Sequence, residues 1–337
     1  MLDKSQLRKR ILELASQNTA GLASRLAEEF HTSRQTAARH VQNLVTEGLL
    51  EGTGITRAKE YRLKTLDQES RSYSRKGLSE DRVWRESFVP HLVGLSENVR
   101  AIWQFGITEM VNNAIDHSGS AAITVGLRRN ALFMDGWVLD EGEGIFLKIQ
   151  RALGLYDPRE SILELAKGKL TTEPEHHTGE GIFFASKMFD RFDIRSGQLH
   201  FLHEGEPLDL MLERSEDAPG TAVFMRLAHH SERVMKEVFD EFAMPEEYSF
   251  AKTIVPVRLA LYEGEKLVSR AQAKRLSMRF ERFRNVVLDF SGVAEIGQGF
   301  ADELFRVFAE AHPAVTLVPI NMTAEVRSML VRVQRNK

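Results

Sequence analysis

The segment GITEMVNNAIDHSGS, residues 106–120, gathers Glu109, Asn112, Asn113, Asp116 and His117 into one short run. Glu109 and Asn113 are four residues apart, so on a helix they stand one turn from each other on the same side. A carboxylate and a carboxamide so placed can share a water molecule and a hard cation. Ile107, Met110, Val111, Ala114 and Ile115 fall at i, i+3, i+4, i+7 and i+8, the spacing of one buried helical face. Taken alone, the run favours a plainer reading, a capped and solvated polar face. The downstream segments of the chain reverse that.

A strand, AAITVGL, a polar turn at RRN and a second strand, ALFMDGWVL, lead directly into DEGEGI, with Asp140, Gly142 and Gly144. About 35 residues on, HHTGEGIFFASKMFD opens a helix at Gly179 and Gly181, with Thr178 beside them. After a hairpin-like stretch, FDIRSGQLHFLHEGE, the segment GTAVFMRL starts a strand at Gly220 and Thr221. Each piece alone is weak, and the order carries the information. A Glu-x-x-x-Asn helix, a strand-borne DxGxG, a GxG opening a helix and a GT at a strand start resemble, over residues 86–230, the GHKL or Bergerat-fold ATPases of gyrase, heat-shock chaperones, histidine kinases and mismatch-repair proteins. No GxxxxGK[ST] is present, which excludes an ordinary P-loop.

The chemistry of each position fits what the resemblance implies, a site for ATP and Mg²⁺. Asp140 at a strand end can accept from the adenine amino group. Gly142 and Gly144 let backbone approach a purine, and free N–H groups at the helix start of Gly179 and Gly181 favour phosphate. Asn113 offers a neutral oxygen to Mg²⁺, a cation that leans on phosphate and water. By family analogy Glu109 is the general base and Thr221 helps hold a water near the adenine. His117 stands where anti-sigma-factor serine kinases of this superfamily tend to have it. No phospho-accepting His helix lies upstream, and His91 reads as structural. Residues 147–177 would form the nucleotide lid, with a turn at Asp157 and Pro158 and a helix, SILELAKG, capped by Ser161. Lys167 and Lys169 are within reach of a γ-phosphate in that picture, although charges on an exposed lid helix usually do nothing so specific. His176 and His177 read as solvated residues at a lid hinge.

Upstream, residues 1–66 hold 11 Lys and Arg against 7 Asp and Glu. KSQLRKRILELASQ reads as a helix, GLASRLAEEF as a second capped by Thr19, and RQTAARHVQNLVTEG as a third capped by Thr32 or Ser33 and ended by Gly48. EGTGITRAKEYRLK reads as a hairpin turning at Gly52 and Gly54, with Ile55, Tyr61 and Leu63 in its strands. This resembles a winged helix-turn-helix, which implies double-stranded DNA as partner. Ser33, Arg34, Gln35, Ala38 and Arg39 would meet base edges, and Arg57 and Lys59 on the wing would meet phosphate. A small module for protein contacts is the plainer alternative. Paired half-sites would favour a homodimer, though no coiled coil enforces one.

Residues 67–85 are polar and read as a linker. From residue 245 to 337 strands and helices alternate, as in an α/β layer domain. VVLDFSGV, followed by a turn and an amphipathic helix, resembles the STAS or anti-anti-sigma fold, which implies a protein partner. Members of that family carry a phosphorylatable Ser before the helix. Here the turn is Ile296-Gly297-Gln298-Gly299-Phe300, without a hydroxyl, and Ser291 sits earlier as a turn residue.

The fold class expected is therefore multidomain α+β, with an N-terminal winged helix, a central Bergerat α/β sandwich and a C-terminal STAS-like α/β domain. Net charge is −3, so the chain as a whole is no generic polyanion binder, and its basic end sits on an acidic body. There are no cysteines, which excludes disulfides, thiolate zinc sites and cysteine nucleophiles. A charged start and the lack of an apolar run near 20 residues point to a cytoplasmic protein without membrane contact. The function expected is an ATP-binding, DNA-binding regulator in which Mg·ATP binding or slow hydrolysis is the switch. The alternatives are an anti-sigma-type serine/threonine kinase acting on a separate protein, and a scaffold with a silent nucleotide site.

Overall fold

The computed structural model describes residues 4–17, 19–54, 59–170, 179–205, 209–243, 250–262 and 265–335. Ile55, Arg57, His176, His177 and Thr178 lie outside the described residues. The chain is a mixed α/β, multidomain arrangement of helices and sheets.

The N-terminal unit is three helices, α1 (Lys4–Ser16), α2 (Leu22–Glu29) and α3 (Arg34–Thr46), then an antiparallel pair, β1 (Leu50–Thr53) and β2 (Glu60–Leu63). Leu7, Ile11, Leu14, Leu26, Val41 and Leu50 are in its own core, against which Ala131 and Leu132 of the next unit also pack. Ser33 caps α3 by accepting the Thr36 N–H at 3.1 Å, and Gly48, at φ 75°, turns the chain out of it. Thr19 does not cap α2. Its N–H closes the end of α1 on the Leu14 carbonyl, and the cap position falls to Gly21.

Residues 67–85 are not a linker. β3 (Asp67–Ser74) pairs along its whole length with β4 (Ala122–Arg129), from Asp67↔Arg129 to Ser74↔Ala122. α4 (Glu80–Val83) then runs into a π-turn that buries Trp84 and Phe88. The segment is polar because β3 is the sheet's edge: Tyr73 is its one buried residue, and Arg71 pairs with Glu69 and Glu86 at the surface.

The central unit continues through α5 (Glu97–His117), β4, β5 (Phe133–Asp140), α6 (Ile145–Leu153), α7 (Glu160–Lys167), α8 (Gly181–Met188), β6 (Arg191–Glu204), β7 (Asp209–Ala228) and α9 (Met235–Phe242). Its sheet has the order β3-β4-β5-β7-β6, antiparallel throughout. The stretch expected to be hairpin-like is a single strand, β6, whose partner is β7. Helices α5 and α8 pack on one face of this sheet, where Val138, Met225 and Phe192 are buried.

The C-terminal unit comprises β8 (Lys252–Pro256), α10 (Arg270–Ser277), β9 (Asn285–Asp289), α11 (Gln298–Asp302) continued by a π-turn into α12 (Ala309–Ala311), β10 (Thr316–Ile320) and α13 (Ala324–Arg335). Its strands form a parallel sheet of order β10-β9-β8, which the intervening helices make possible. One apolar core runs through the central and C-terminal units. Phe250 joins the two parts of it, with ring centroids 4.7 Å from Phe183, 4.9 Å from Phe184 and 5.5 Å from Phe283.

His91 is structural, as expected, and has a definite task. Its Nδ1 lies 2.5 Å from Asp67 and its Nε2 2.8 Å from Glu69, so it staples the edge strand down. Burial alone would lower its pKa, but the two carboxylates together raise it above the usual histidine value. The raised value means the charged form stabilises the fold fully below pH of about 6.5, and this support is lost as pH rises through the folded-state pKa. In urea unfolding, His91→Gln is expected to cost more at pH 6 than at pH 8. An equal cost at both would mean the imidazolium is not the stabilising form.

Candidate functional site

A cavity of about 330 Å³ opens between α5, α6, α8 and the end of the β5–β7 ladder. Glu109, Asn113, Asp140, Gly144, Gly179, Gly181 and Thr221 all line it, together with His117. Residues widely separated in sequence thus share one wall system. Gly142 is the exception among the described candidates. Its bare face is turned to the end of α5, where a Cβ would stand 1.9 Å from the Ser118 carbonyl oxygen. Its service is to let the turn after β5 close on α5. Asn112 and Asp116 do not line the cavity.

α5 supplies Glu109 and Asn113 because its apolar stripe, Val99, Ile102, Trp103, Ile107, Met110 and Val111, is buried on the sheet and leaves those two half-buried at the stripe's margin. Gly181, the first residue of α8, takes the Glu109 carboxylate: Oε2 lies 1.9 Å from where a Cβ on Gly181 would stand. The carboxylate is therefore at the N-terminus of an eight-residue helix, a position whose N–H groups and dipole favour an anion.

At the other end Asp140 and Thr221 face each other across the β5–β7 ladder. Asp140 Oδ1 accepts the Gly142 N–H at 2.9 Å. Thr221 Oγ1 accepts the Ile145 N–H at 3.0 Å and so fixes the start of α6. Burial raises the pKa of Asp140, and the hydrogen bonds from Gly142 and Thr221 oppose that rise. An acidic group half-shielded from water at a strand end is a directional acceptor for a ligand N–H.

Lys148, Leu165, Leu170 and Phe183 also line the cavity, and the sequence patterns do not single them out. Lys148 stands one turn into the helix that Gly144 begins, which is a readable signal. Its Nζ donates to the His117 carbonyl at 3.0 Å and lies 3.3 Å from His117 Nδ1, closing the C-terminus of α5. Leu165 and Leu170 carry no local signal. All eight residues of α7 are buried, so the helix expected to be an exposed lid is an interior element. Ser161 does not cap it; its hydroxyl donates to the Phe146 carbonyl at 2.8 Å. Lys167 and Lys169 point away from the cavity. Lys167 Nζ donates to Glu164 and to the Met278 carbonyl, and Lys169 Nζ to the Arg282 carbonyl, all in or against the C-terminal unit. Burial draws Lys167 down to about 8 despite Glu164.

On the N-terminal unit, Ser33, Arg34, Gln35, Ala38 and Arg39 are all exposed on the first turns of α3. Ser33 spends its hydroxyl on the helix cap. Lys59 lies across the hairpin, its Nζ 5.3 Å from the centroid of the Tyr61 ring.

Residues 272–327 match the family model of a STAS-like domain of unknown function, DUF4325. The C-terminal unit is STAS-like. No curated protein matches the chain. In this STAS-like domain the turn that lacks a hydroxyl is also covered: Gly297 N–H donates to the Leu267 carbonyl at 2.7 Å and Phe300 N–H to Val268 at 3.2 Å. A Cβ at Gly297 would come 2.7 Å from Val268 Cα, so even the smallest side chain would displace backbone. Among the described residues no helix is long and apolar enough to cross a membrane.

Thr221→Val keeps the shape of the side chain but strands the Ile145 N–H and removes the O–H donor to Asp140. It is expected to cost about 1–2 kcal/mol in urea unfolding and to move the Asp140 carboxyl pKa upward in an NMR titration. An unmoved Asp140 would rule out the Thr221 hydrogen bond as a control on its charge.

Proposed function

We propose that the chain is an ATP-binding, DNA-binding regulatory protein, built from a winged helix, a Bergerat-type nucleotide site and the STAS-like domain. The observation that carries the reading is the convergence of Glu109, Asn113, Asp140, Gly181 and Thr221 on one cavity. In this reading Asp140 accepts from the adenine amino group, with Thr221 holding its carboxylate in place. The start of α8 receives phosphate oxygens. Glu109 then either turns aside from that helix end or shares it with a nucleophilic water that it orients, because two anions there would repel. Among the described residues no three His, Asp or Glu side chains converge to hold a metal ion. Mg²⁺ would accordingly rest on the Asn113 carboxamide, phosphate oxygens and water, the mixed coordination that this ion favours.

Nucleotide would act by differential affinity for two arrangements of the chain. Arg34, Gln35 and Arg39 on α3 would read base edges in the major groove, with Lys59 on phosphate. The covered, hydroxyl-free turn at Gly297 supports a STAS-like domain that receives or relays a signal and is not itself phosphorylated.

The test follows γ-labelled ATP with Mg²⁺ and the purified chain. Slow release of phosphate by wild type, abolished in Glu109→Ala and in Asp140→Asn, is the expected outcome. Label accumulating on a separate protein added from lysate would replace this reading with that of a serine/threonine kinase. No nucleotide binding at all would end both. For DNA, Arg34→Ala and Arg39→Ala together should weaken binding to any selected duplex by about tenfold or more. Unchanged affinity would remove α3 from the DNA interface.

A further inference from the structure

Four non-glycine residues among those described have a left-handed backbone, and two of them, Lys169 (φ 51°) and Arg279 (φ 66°), meet at one contact. The Arg279 guanidinium donates to the Lys169 carbonyl and, at 2.8 Å, to the Gly168 carbonyl. Its other arm reaches Glu164 Oε2 at 2.9 Å, while Glu164 Oε1 takes Lys167 Nζ at 2.5 Å. Glu164, Lys167 and Arg279 are all buried. Thr253 adds a hydroxyl bond to the Lys167 carbonyl at 2.8 Å. Strained backbone persists where surrounding structure over-determines it, and such places concentrate at functional sites. Here the strain lies one residue from the cavity: Leu170 lines it, and the Leu170 N–H donates at 3.0 Å to the carbonyl of Gly179, which lines it too. Gly181 and the Glu109 carboxylate come next along the same wall.

We propose that Arg279, a residue of the STAS-like domain, is a positioning residue of the nucleotide cavity: its fork of donors fixes the Gly168 and Lys169 carbonyls, and through them the wall formed by Leu165, Leu170 and Gly179. The STAS-like domain is then part of the nucleotide site, and whatever it binds reaches the nucleotide through this contact. The inference rests on the proposal that the cavity takes ATP. Arginine suits the task because its planar guanidinium can hold a carboxylate and two backbone carbonyls at once, which a lysine ammonium on a flexible stem cannot reproduce. Replacing the ionic group as a whole by apolar side chains of similar volume leaves no buried charge unpaired, so measuring stability beside affinity separates positioning from folding.

The experiment measures binding of the non-hydrolysable analogue AMP-PNP with Mg²⁺ to the full chain by calorimetry, beside thermal unfolding. Variants are Arg279→Lys, the triple Glu164→Leu/Lys167→Met/Arg279→Leu, and Leu330→Ala, a buried position on α13, which packs on α11 and the π-turn that follows it. Arg279→Lys and the folded triple variant are expected to lose about tenfold in affinity, while Leu330→Ala loses stability and keeps wild-type affinity. Unchanged affinity in Arg279→Lys and the triple variant overturns the proposal. So does an affinity loss in Leu330→Ala equal to theirs, since that would follow stability alone. If the triple variant fails to fold, Arg279→Lys decides. A wild-type chain that binds no AMP-PNP removes the ATP reading and this proposal with it, an outcome distinct from wild-type binding with unaffected variants.

Discussion

The central unit depends on how closely the sheet, α8 and the turn after β5 can approach α5. Clearance is made by missing side chains. A Cβ on Gly106 would meet the Phe189 ring at 2.4 Å, and one on Gly136 of β5 would meet Trp103 at 2.6 Å. Gly181 yields to Glu109 and Gly142 to the last turn of the helix. Interiors pack at crystal-like density, so a helix brought this close is held without play. That closeness is what lets one helix serve both as the centre of the core, through Trp103 and Ile107, and as a wall of the cavity, through Glu109 and Asn113. A looser helix would bury the same apolar stripe and leave its polar margin in open solvent.

Much of this is legible in the sequence, and what is not has physical causes. The period of α5 is read from Ile107, Met110, Val111 and Ala114 because a single face is buried. The end of β5 is read from Asp140, where strand pattern gives way to glycine, whereas β7 runs from Asp209 straight through Gly220 and Thr221, so the strand start read there is only the point where its pairing with β5 begins. β3 is hidden because an edge strand has solvent along one side, and a run such as DQESRS gives no alternation to count. α7 is read as a helix from SILELAKG, but its burial is hidden for the opposite reason. SILELAK looks amphipathic, yet the STAS-like domain covers the face that would otherwise be wet, and its Glu and Lys are buried as a pair with Arg279, 112 positions beyond Lys167 in the chain. No local pattern reports a cover supplied from so far away. The motif assigns Gly142 to the site, whereas its bare face serves the packing of α5.

The STAS-like domain carries its own reinterpretation. The turn before α11 carries no hydroxyl and is roofed over: the backbone carbonyls of Leu267 and Val268 accept from the Gly297 and Phe300 N–H groups. Two glycines, Gly297 and Gly299, make room for it. The contacts of this domain with the central unit are made by Thr253, Phe250, Arg279 and Phe283.

The junction between the first two units is short. Lys64 is still bonded to the Leu49 carbonyl of the N-terminal unit, and Leu66 is already bonded to the Arg129 carbonyl of the central sheet, which leaves Thr65 alone between them. Ala131 and Leu132 on the β4–β5 turn pack, half-buried, against the core of the N-terminal unit as well. Reading heads on long tethers accept half-sites at variable separation, since the tether absorbs the difference. Here there is no slack to absorb it. If, as proposed, α3 reads DNA and two copies of this chain sit on one duplex, the separation of their α3 helices would be set by the protein bodies, in the manner of a caliper, and inserting a few base pairs between the half-sites would rotate one α3 off its groove.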